Sequence, residues 1–326
     1  MFMQERESSF ERVISDHVFL FPGQGNPAIG MGAEVCDVSP ATTVVWDCAS
    51  DCSGIDVRKL CRKGPMTRLT RTRFQQLAVT TVSVAMFERL REVVAIERPV
   101  FAGHSAGEYA ALYAAGAFDM PTLFKAITAR ANLMEEMAEA SDGAMYVVKG
   151  IDRSTLQYLL DESGVGESVQ VANDNSPRQQ VLSGTASDVK AMIAELQRGG
   201  YDVVKLPVNG AWHSNLMAPA VPRLREALRG LAVRKPVHPV YMNLSAGVEE
   251  SVEVIVENLC GHLTQTVRWR ETMDAMLSRG RTSFAEMGAK RMLTHMLASH
   301  YPAGAQLDVS CFDDWSARCA PAELVC

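Results

Sequence analysis

Short apolar runs that end at turn residues alternate with longer segments of helical periodicity in the N-terminal part of the chain. The run HVFLF at 17–21 stops at a Pro-Gly-Gln-Gly turn and predicts a buried strand. Another short run, at 99–102, predicts a second strand. Apolar residues recur at helical spacing over 76–93 and 121–137, and a further helix is predicted over 105–115. This alternation indicates an α/β architecture with a largely parallel sheet.

The pattern changes after residue 142, where the predicted elements follow the order strand, helix, strand, strand, helix, strand. These elements are predicted at 144–148, 154–160, 168–172, 180–183, 186–196 and 202–208. The order is that of the split βαβ motif of ferredoxin-like domains. The segment Asn-Asp-Asn-Ser-Pro at 173–177 is predicted to be a turn within it. We therefore expect a small subdomain over 142–207, inserted in a large one made of 1–141 and 208–326.

Composition and charge narrow the classes of partner. The chain has 326 residues, 47% of them apolar, which is enough for a large core. Its net charge of −6 argues against nucleic acid as the main partner. It has no apolar run long enough to cross a membrane, and its acidic start lacks the apolar core of a signal peptide. The eight cysteines lack the spacing of metal sites, so we expect a soluble cytoplasmic protein with reduced thiols and no metal.

The segment Gly-His-Ser-Ala-Gly at 103–107 matches the G-x-S-x-G nucleophile elbow. It follows a predicted strand and opens a predicted helix, which is the setting that the motif requires. The glycines permit a sharp turn, because a Cβ at either flank would meet a neighbouring element. The helix N-terminus offers the backbone N–H of Ala106 to a developing oxyanion. The motif predicts Ser105 as a nucleophile, and a helix N-cap serine is the alternative.

A serine nucleophile needs a base, and histidine is the usual choice. The candidates are His17, His104, His213, His238, His262, His295 and His300. His104 is adjacent to Ser105, but its side chain at an elbow is expected to point away from the nucleophile. His213 lies in the segment 209–214, which directly follows the last predicted strand of the small subdomain, at a junction where clefts form. His213 is therefore the candidate base, with a hydrogen-bonded core histidine as the alternative.

Five segments together resemble malonyl-CoA:acyl-carrier-protein transacylases and occur in the same order as in that family. They are Phe-Pro-Gly-Gln-Gly at 21–25, Gly-His-Ser-Ala-Gly-Glu-Tyr at 103–109, Arg130 within Ala-Arg-Ala-Asn-Leu-Met, Asn-Asp-Asn-Ser-Pro at 173–177 with Ser-Gly at 183–184, and Gly-Ala-Trp-His-Ser at 210–214. In particular, the chain is similar to the free-standing acyltransferases that serve polyketide synthases without built-in acyltransferase domains. The resemblance implies an α/β-hydrolase-like large subdomain with an inserted ferredoxin-like small subdomain and the active site between them.

The resemblance also implies an enzyme and its partners. A malonyl group would move from CoA to the phosphopantetheine thiol of an acyl carrier protein, in fatty acid or polyketide synthesis. Ser105 would hold the group as an ester after His213 removes its proton, and no further cofactor would be needed. The backbone N–H groups of Gln24 and Ala106 would hold the oxyanion. A backbone carbonyl of 260–263 would orient the histidine, and the protein would act as a monomer.

Two further residues acquire roles only through the resemblance. Arg130 would pair bidentately with the free carboxylate of the malonyl group, a geometry that suits guanidinium. Its alternative is a surface salt bridge on an amphipathic helix. Gln76 resembles the family's pocket glutamine, although Leu77 follows it where relatives usually have proline. A solvated helix start is the alternative for Gln76.

The chain departs from the family pattern at several positions. Pro27 stiffens the glycine-rich turn and removes a backbone N–H. Ala106 and Ala131 replace the usual leucine and glycine, which changes the shape of the pocket floor. Trp212 stands where malonyl-selective relatives have phenylalanine, and its bulk is expected to exclude α-branched acyl groups. His262 replaces a glutamine and is a candidate substrate-site residue that would influence how water enters.

Two alternative functions stay open. An editing hydrolase that releases acyl groups from carrier proteins would have the same serine and histidine, but a hydrolase of simple acyl chains has no use for Arg130. A non-catalytic carrier-protein-binding pseudoenzyme would not need Ser105, His213, Gln24 and Arg130 together.

One charged segment bears on the partners. The stretch 58–73 carries seven basic residues and no acidic one. We expect it to meet CoA phosphates or an acidic carrier protein, with a plain solvated surface as the alternative.

Overall fold

The computed structural model describes residues 13–25, 27–300 and 307–318. Asn26 and the two ends of the predicted large subdomain, 1–12 and 319–326, lie outside the described residues. Among the described residues the strands are β1 (Val13–Ser15), β2 (Val18–Phe21), β3 (Ala95–Glu97), β4 (Val100–Gly103), β5 (Gly143–Lys149), β6 (Val169–Ser176), β7 (Gln179–Thr185), β8 (Asp202–Lys205), β9 (Val240–Tyr241), β10 (Ser283–Glu286) and β11 (Asp308–Cys311). The α-helices are α1 (Pro40–Ser53), α2 (Val57–Lys63), α3 (Met66–Leu69), α4 (Thr72–Val93), α5 (Gly107–Ala114), α6 (Met120–Ala140), α7 (Arg153–Ser163), α8 (Ala186–Arg198), α9 (Ala220–Arg229), α10 (Val252–Gly261), α11 (Trp269–Ser278), α12 (Met292–His300) and α13 (Phe312–Arg318).

The large subdomain is built on a parallel sheet with the strand order β11-β10-β2-β4-β9. Every residue of β2 and β4 is buried, as expected for central strands that are covered on both faces. The two strands are in register, with Phe21 opposite Gly103. Their carboxyl ends therefore deliver the glycine-rich turn and the Ser105 elbow to the same edge of the sheet, where open α/β sheets bind ligands.

The small subdomain has an antiparallel sheet with the strand order β6-β7-β5-β8, which is the ferredoxin-like order. Helices α7 and α8 cover this sheet and bury Leu156, Leu160, Val189 and Leu196 in a core of its own. The subdomain contacts the large one where Asn173 bridges Val267. The fold class is thus the predicted one, an α/β-hydrolase-like large subdomain with a ferredoxin-like insertion.

The predicted turn at 173–177 is wrong, because β6 continues to Ser176. The polar residues at the end of β6 are buried, and contacts from outside the small sheet satisfy them. Arg270 pairs with the Asp174 carboxylate at 3.0 Å, and Asn175 bonds His104 at 2.9 Å. Partners that are distant in the sequence therefore stabilise polar residues in an extended conformation that their local preference disfavours.

Helix α4 begins at Thr72, four residues before the predicted start at Gln76. Its first turn, with Thr72, Phe74 and Gln75, lacks a regular apolar repeat, which is why periodicity missed it. Helices α1, α2, α3, α10, α11, α12 and α13 were also not predicted. No helix among the described residues has the length and apolar character needed to cross a bilayer.

Candidate active site

Ser105 lies between β4 and α5 with a φ of 53°, a left-handed conformation that is uncommon for a residue with a side chain. The flanking glycines are sterically required. A Cβ at Gly103 would overlap the backbone of Gly107, and a Cβ at Gly107 would overlap the carbonyl group of Phe21. This packing explains in physical terms why the turn carries glycine on both sides of the serine. The strained turn presents the hydroxyl group of Ser105 at the sheet edge.

His213 contacts the serine directly. Its Nε2 lies 2.9 Å from Ser105 Oγ, and its Nδ1 lies 2.6 Å from the carbonyl oxygen of His262. Because a carbonyl only accepts, Nδ1 carries the proton and Nε2 is free to accept the serine proton. Burial, followed by repulsion from His262 in its protonated form and from the Arg130 guanidinium, holds the pKa of His213 well below its usual value. The imidazole is therefore neutral at neutral pH, which is the form that a general base needs.

The ring of His262 stacks on the ring of His213, with 4.6 Å between the ring centroids. Its Nδ1 is 3.0 Å from Oε2 of Glu108, although neither atom is aligned for a hydrogen bond. Burial raises the pKa of Glu108 to about 7. His262 therefore packs against the imidazole ring of the base. Its contact with substrate stays a prediction.

Asn243 connects the nucleophile to Glu108, and sequence reasoning missed it. Its Oδ1 accepts from the backbone N–H of Ser105 at 2.8 Å, and its Nδ2 donates to the carbonyl oxygen of Gly103 at 2.6 Å. The backbone and side-chain N–H groups of Asn243 both donate to Glu108 Oε1, at 2.6 and 3.0 Å. The only sequence indication was a polar residue two positions after the short buried strand β9, at a sheet edge where sites form.

Arg130 is fully buried on α6 beside the nucleophile. Its guanidinium donates to Gln76 Oε1 at 2.6 Å and to Ser105 Oγ at 3.2 Å, while Nε has no hydrogen-bond partner. No ion pair to Arg130 is formed within the described parts of the chain, so the alternative of a surface salt bridge is wrong. Gln76 is buried as well, so the alternative of a solvated helix start is also wrong. The arrangement leaves a buried positive charge available for an anionic ligand.

The glycine-rich turn packs directly over the elbow. A Cβ at Gly23 would overlap the carbonyl oxygen of His104 and would lie 3.4 Å from the backbone nitrogen of Ala106. The side chain of Gln24 is held by Thr72 at 3.0 Å and by Gln76 at 3.4 Å. In the described part of the chain, the backbone N–H groups of Gln24 and Ala106 donate to no other group. Both donors are thus available where an oxyanion hole is expected.

A cavity of about 230 Å³ opens between the two subdomains at Ser105 and His213. Its other walls include Gln24, Gln76, Met134, Met145, Asn173, Asn175, Trp212, Met292 and Met296. We call it the acyl cavity. Trp212 lines it with a buried Nε1 that has no hydrogen-bond partner, and its ring packs against Gly210. His104 bonds Asn175 instead of Ser105, as expected for its position in the elbow.

His213 also lines a second, polar cavity of about 480 Å³. Arg153, Gln170, Thr264 and Gln265 form part of its walls. We call it the polar cavity. The described residues contain no cluster of three or more His, Cys, Asp or Glu side chains that could hold a metal ion.

An α/β scaffold that holds an elbow serine beside a neutral histidine is typical of proteins that transfer or hydrolyse acyl groups. The chain belongs to the acyl transferase domain family, whose model matches residues 18–310. The malonyl CoA-acyl carrier protein transacylase of Bacillus subtilis strain 168 is 36% identical over 287 residues, which cover 87% of this chain and 90% of that protein.

Two solved structures show the same likeness. The malonyl-CoA:acyl carrier protein transacylase of Xanthomonas oryzae pv. oryzae is 31% identical with a TM-score of 0.88, and the match covers 94% of this chain and 98% of that one. A malonyl transacylase solved in complex with its type II polyketide synthase acyl carrier protein is 31% identical with a TM-score of 0.82, over 90% of this chain and 94% of the other.

Proposed function

We propose that this chain transfers malonyl groups from CoA to the phosphopantetheine thiol of an acyl carrier protein. The observation that carries the proposal is the buried guanidinium of Arg130, 3.2 Å from Ser105 Oγ. A malonyl ester on Ser105 would bring its free carboxylate within reach of this group, and a bidentate guanidinium pair would hold it. The relatives named above as malonyl transacylases support the same substrate.

The proposed reaction has two halves. In the first, His213 Nε2 takes the proton of Ser105 as Oγ attacks the thioester carbonyl, and the N–H groups of Gln24 and Ala106 stabilise the oxyanion. The carbon–sulfur bond then breaks, and the departing CoA sulfur takes the proton from His213. In the second half, His213 takes the proton of the carrier thiol, whose sulfur attacks the Ser105 ester. Ser105 leaves with that proton, and the thioester and the free serine are formed.

The carrier protein is expected to approach through the stretch 58–73. Arg58 is already engaged by Asp37 and Asp47 at 2.7 Å each. In contrast, Arg62 and Lys63 are exposed and form no ion pair with any described residue. Unpaired cations suit an acidic partner or the phosphates of CoA. The complex of a related transacylase with its carrier protein supports a carrier partner, in polyketide or fatty acid synthesis.

We further propose that the protein is a monomer and that it acts in the cytoplasm, where acyl-CoA and carrier proteins meet. It would use no metal or organic cofactor. The small subdomain is proposed to span 142–207. It contributes Met145, Asn173 and Asn175 to the acyl cavity, so both subdomains are needed for the site.

The polar cavity favours a second candidate, an editing acyl hydrolase. His213 lines both this cavity and the acyl cavity. Water that entered beside Gln170 and Gln265 would approach the base without passing an acyl chain. Hydrolysis would then compete with transfer to the thiol.

One experiment separates the two candidates. The enzyme is incubated with malonyl-CoA or acetyl-CoA, with and without holo carrier protein, and the products are followed as acyl carrier protein and as free acid. Transfer of malonyl groups that exceeds hydrolysis supports the proposal. Dominant hydrolysis of acyl carrier protein, without net transfer, would refute it in favour of the hydrolase.

A further inference from the structure

Another cavity, distinct from the polar cavity and largely apolar, adjoins the acyl cavity across the glycine-rich turn. Its volume is about 390 Å³, and Met31, Val79 and Val82 form part of its wall. Gly25 and Met292 line both cavities. We call it the outer cavity. None of the steps of acyl transfer described above uses it.

Only a thin wall separates the two cavities at this point. A Cβ on Gly25 would lie 3.3 Å from Met292 Sδ. The thioether of Met292 therefore packs directly against the backbone of Gly25. Methionine is unbranched and has three rotatable bonds, which makes its side chain adaptable to a neighbouring ligand. A molecule in the outer cavity would therefore restrict where Met292 lies, and Met292 in turn shapes the acyl cavity.

The lining of the outer cavity fits a ligand with an aliphatic body. Among its described lining residues, Met31, Val79 and Val82 are apolar. Ser83 is a polar exception, because its side chain is 1% exposed and its Oγ has no hydrogen-bond partner, and an aliphatic chain would leave this hydroxyl unsatisfied.

The mouth of the outer cavity carries positive charge. Lys290 and Arg291 line it and are exposed. Arg291 is neutralised by Asp314 at 2.6 Å. Lys290 forms no ion pair within the described residues, so its ammonium group is available to an anion. An apolar interior below an unpaired cation is complementary to an amphipathic anion.

We propose that the outer cavity binds a medium-chain fatty carboxylate, with the chain against Val79 and Val82 and the carboxylate at Lys290. Occupancy would slow malonyl loading at Ser105 through the shared Met292. Binding at this site does not depend on the proposed transferase activity, because none of the residues that would hold the chain and the carboxylate lies in the acyl cavity.

Binding is measured directly, by calorimetry of the whole enzyme with decanoate, decanol and acetate. Decanoate should bind, decanol should bind at least about tenfold more weakly, and acetate should not bind. The variant Lys290→Glu should weaken decanoate binding by at least about tenfold, whereas Lys190→Glu on the exposed face of α8 should leave it unchanged. Val79→Phe, which fills the cavity, should remove binding.

Malonyl loading of the same proteins serves as a fold control, because Val79 and Lys290 do not line the acyl cavity. Lys290→Glu should load malonyl groups normally. Val79→Phe should load them more slowly than the wild type without decanoate, because its side chain occupies the outer cavity, and saturating decanoate should slow the wild type but cause no further loss in Val79→Phe. Equal decanoate affinity in the wild type and Lys290→Glu would overturn the proposal. So would equal binding of decanol, or binding that survives Val79→Phe in a protein that still loads malonyl groups. The transferase assay above is independent of each of these outcomes.

Discussion

The guanidinium of Arg130 lies 3.2 Å from the hydroxyl oxygen of Ser105, and no part of the arginine is exposed to solvent. A fully buried cation without an ion pair is costly unless a ligand supplies the opposite charge. Gln76 holds one nitrogen of this guanidinium at 2.6 Å but is neutral, and the centroid of the Tyr109 ring lies 5.8 Å from the guanidinium carbon, so no described carboxylate forms an ion pair with it. The pair Arg130–Ser105 therefore defines where an acyl group with a free carboxylate would be attached and clamped.

Replacing Arg130 with alanine should slow malonyl loading by about 10- to 150-fold, which corresponds to the roughly 1.5–3 kcal/mol of a hydrogen bond to a charged group. Acetyl loading should fall much less, because a neutral acyl group has no carboxylate to lose. The measurement is the ratio of malonyl to acetyl loading rates, and Arg130→Lys should give an intermediate ratio since ammonium cannot pair bidentately. An unchanged ratio in Arg130→Ala would refute the clamp.

Adding a methyl group at Gly107 should destabilise the protein strongly. The Cβ of Gly107→Ala would overlap the carbonyl group of Phe21, so strand β2 and helix α5 would have to separate. Overpacking of this kind costs about 1–3 kcal/mol or more. Thermal unfolding measures it, with Gly230→Ala as the control, since that glycine has a φ of −77° and its nearest neighbouring atom is 3.6 Å from the added Cβ. Equal midpoints for both variants would contradict the steric argument.

Replacing His262 with glutamine should shift the pH dependence of acylation and leave the rate at neutral pH nearly unchanged. The backbone carbonyl that holds His213 Nδ1 remains in this variant. Acylation requires neutral His213, so its rate falls as the pH drops through the pKa of His213. Burial also holds the pKa of His262 well below its usual value, so this ring carries a charge only at low pH. There, after burial, repulsion from protonated His262 is the next cause that lowers the pKa of His213, so glutamine at 262 raises that pKa and moves the acid limb to higher pH. An unchanged pH profile of acylation, or a large loss of rate at neutral pH, would contradict this role of His262.

Charge reversal in the stretch 58–73 should affect the carrier protein selectively. The double variant Arg62→Glu, Lys63→Glu should raise the apparent KM for holo carrier protein and leave self-acylation by malonyl-CoA intact. Lys190→Glu with Arg198→Glu, which reverses two exposed charges on α8, is the matched control. The effect should weaken as the salt concentration rises. Equal KM values for the two double variants would show that the stretch 58–73 does not bind the carrier protein.

Much of the site followed from local sequence because its determinants are local. Strand β2, the Ser105 elbow and the glycines that flank it are set by short-range sterics and by a single apolar run. The order of elements in the small subdomain was likewise correct, since each helix there carries a clear apolar face, such as Leu156 and Leu160 on α7.

The remaining features depend on contacts between distant parts of the chain. Asn243 contacts Ser105, although the two residues are 138 positions apart in the sequence, and Glu108 and His262 are also distant in sequence. No local pattern therefore indicates either contact. The end of β6 was predicted to be a turn because its residues are polar. Arg270, which is distant in the sequence, neutralises Asp174 and so stabilises the extended conformation there. Gln76 was open to a solvated interpretation until the structure placed it against Arg130. Tertiary contacts overrode local preference at each of these positions.

The nucleophile itself is tested by intact-mass measurement of the enzyme after exposure to malonyl-CoA, followed by peptide mapping of the adduct. The wild type should gain one malonyl group on the peptide that contains Ser105, because His213 lies 2.9 Å from its hydroxyl oxygen. The variant Ser105→Ala should gain none, while its melting temperature stays close to that of the wild type. A malonyl adduct on Ser105→Ala, or an adduct on another residue of the wild type, would contradict the account.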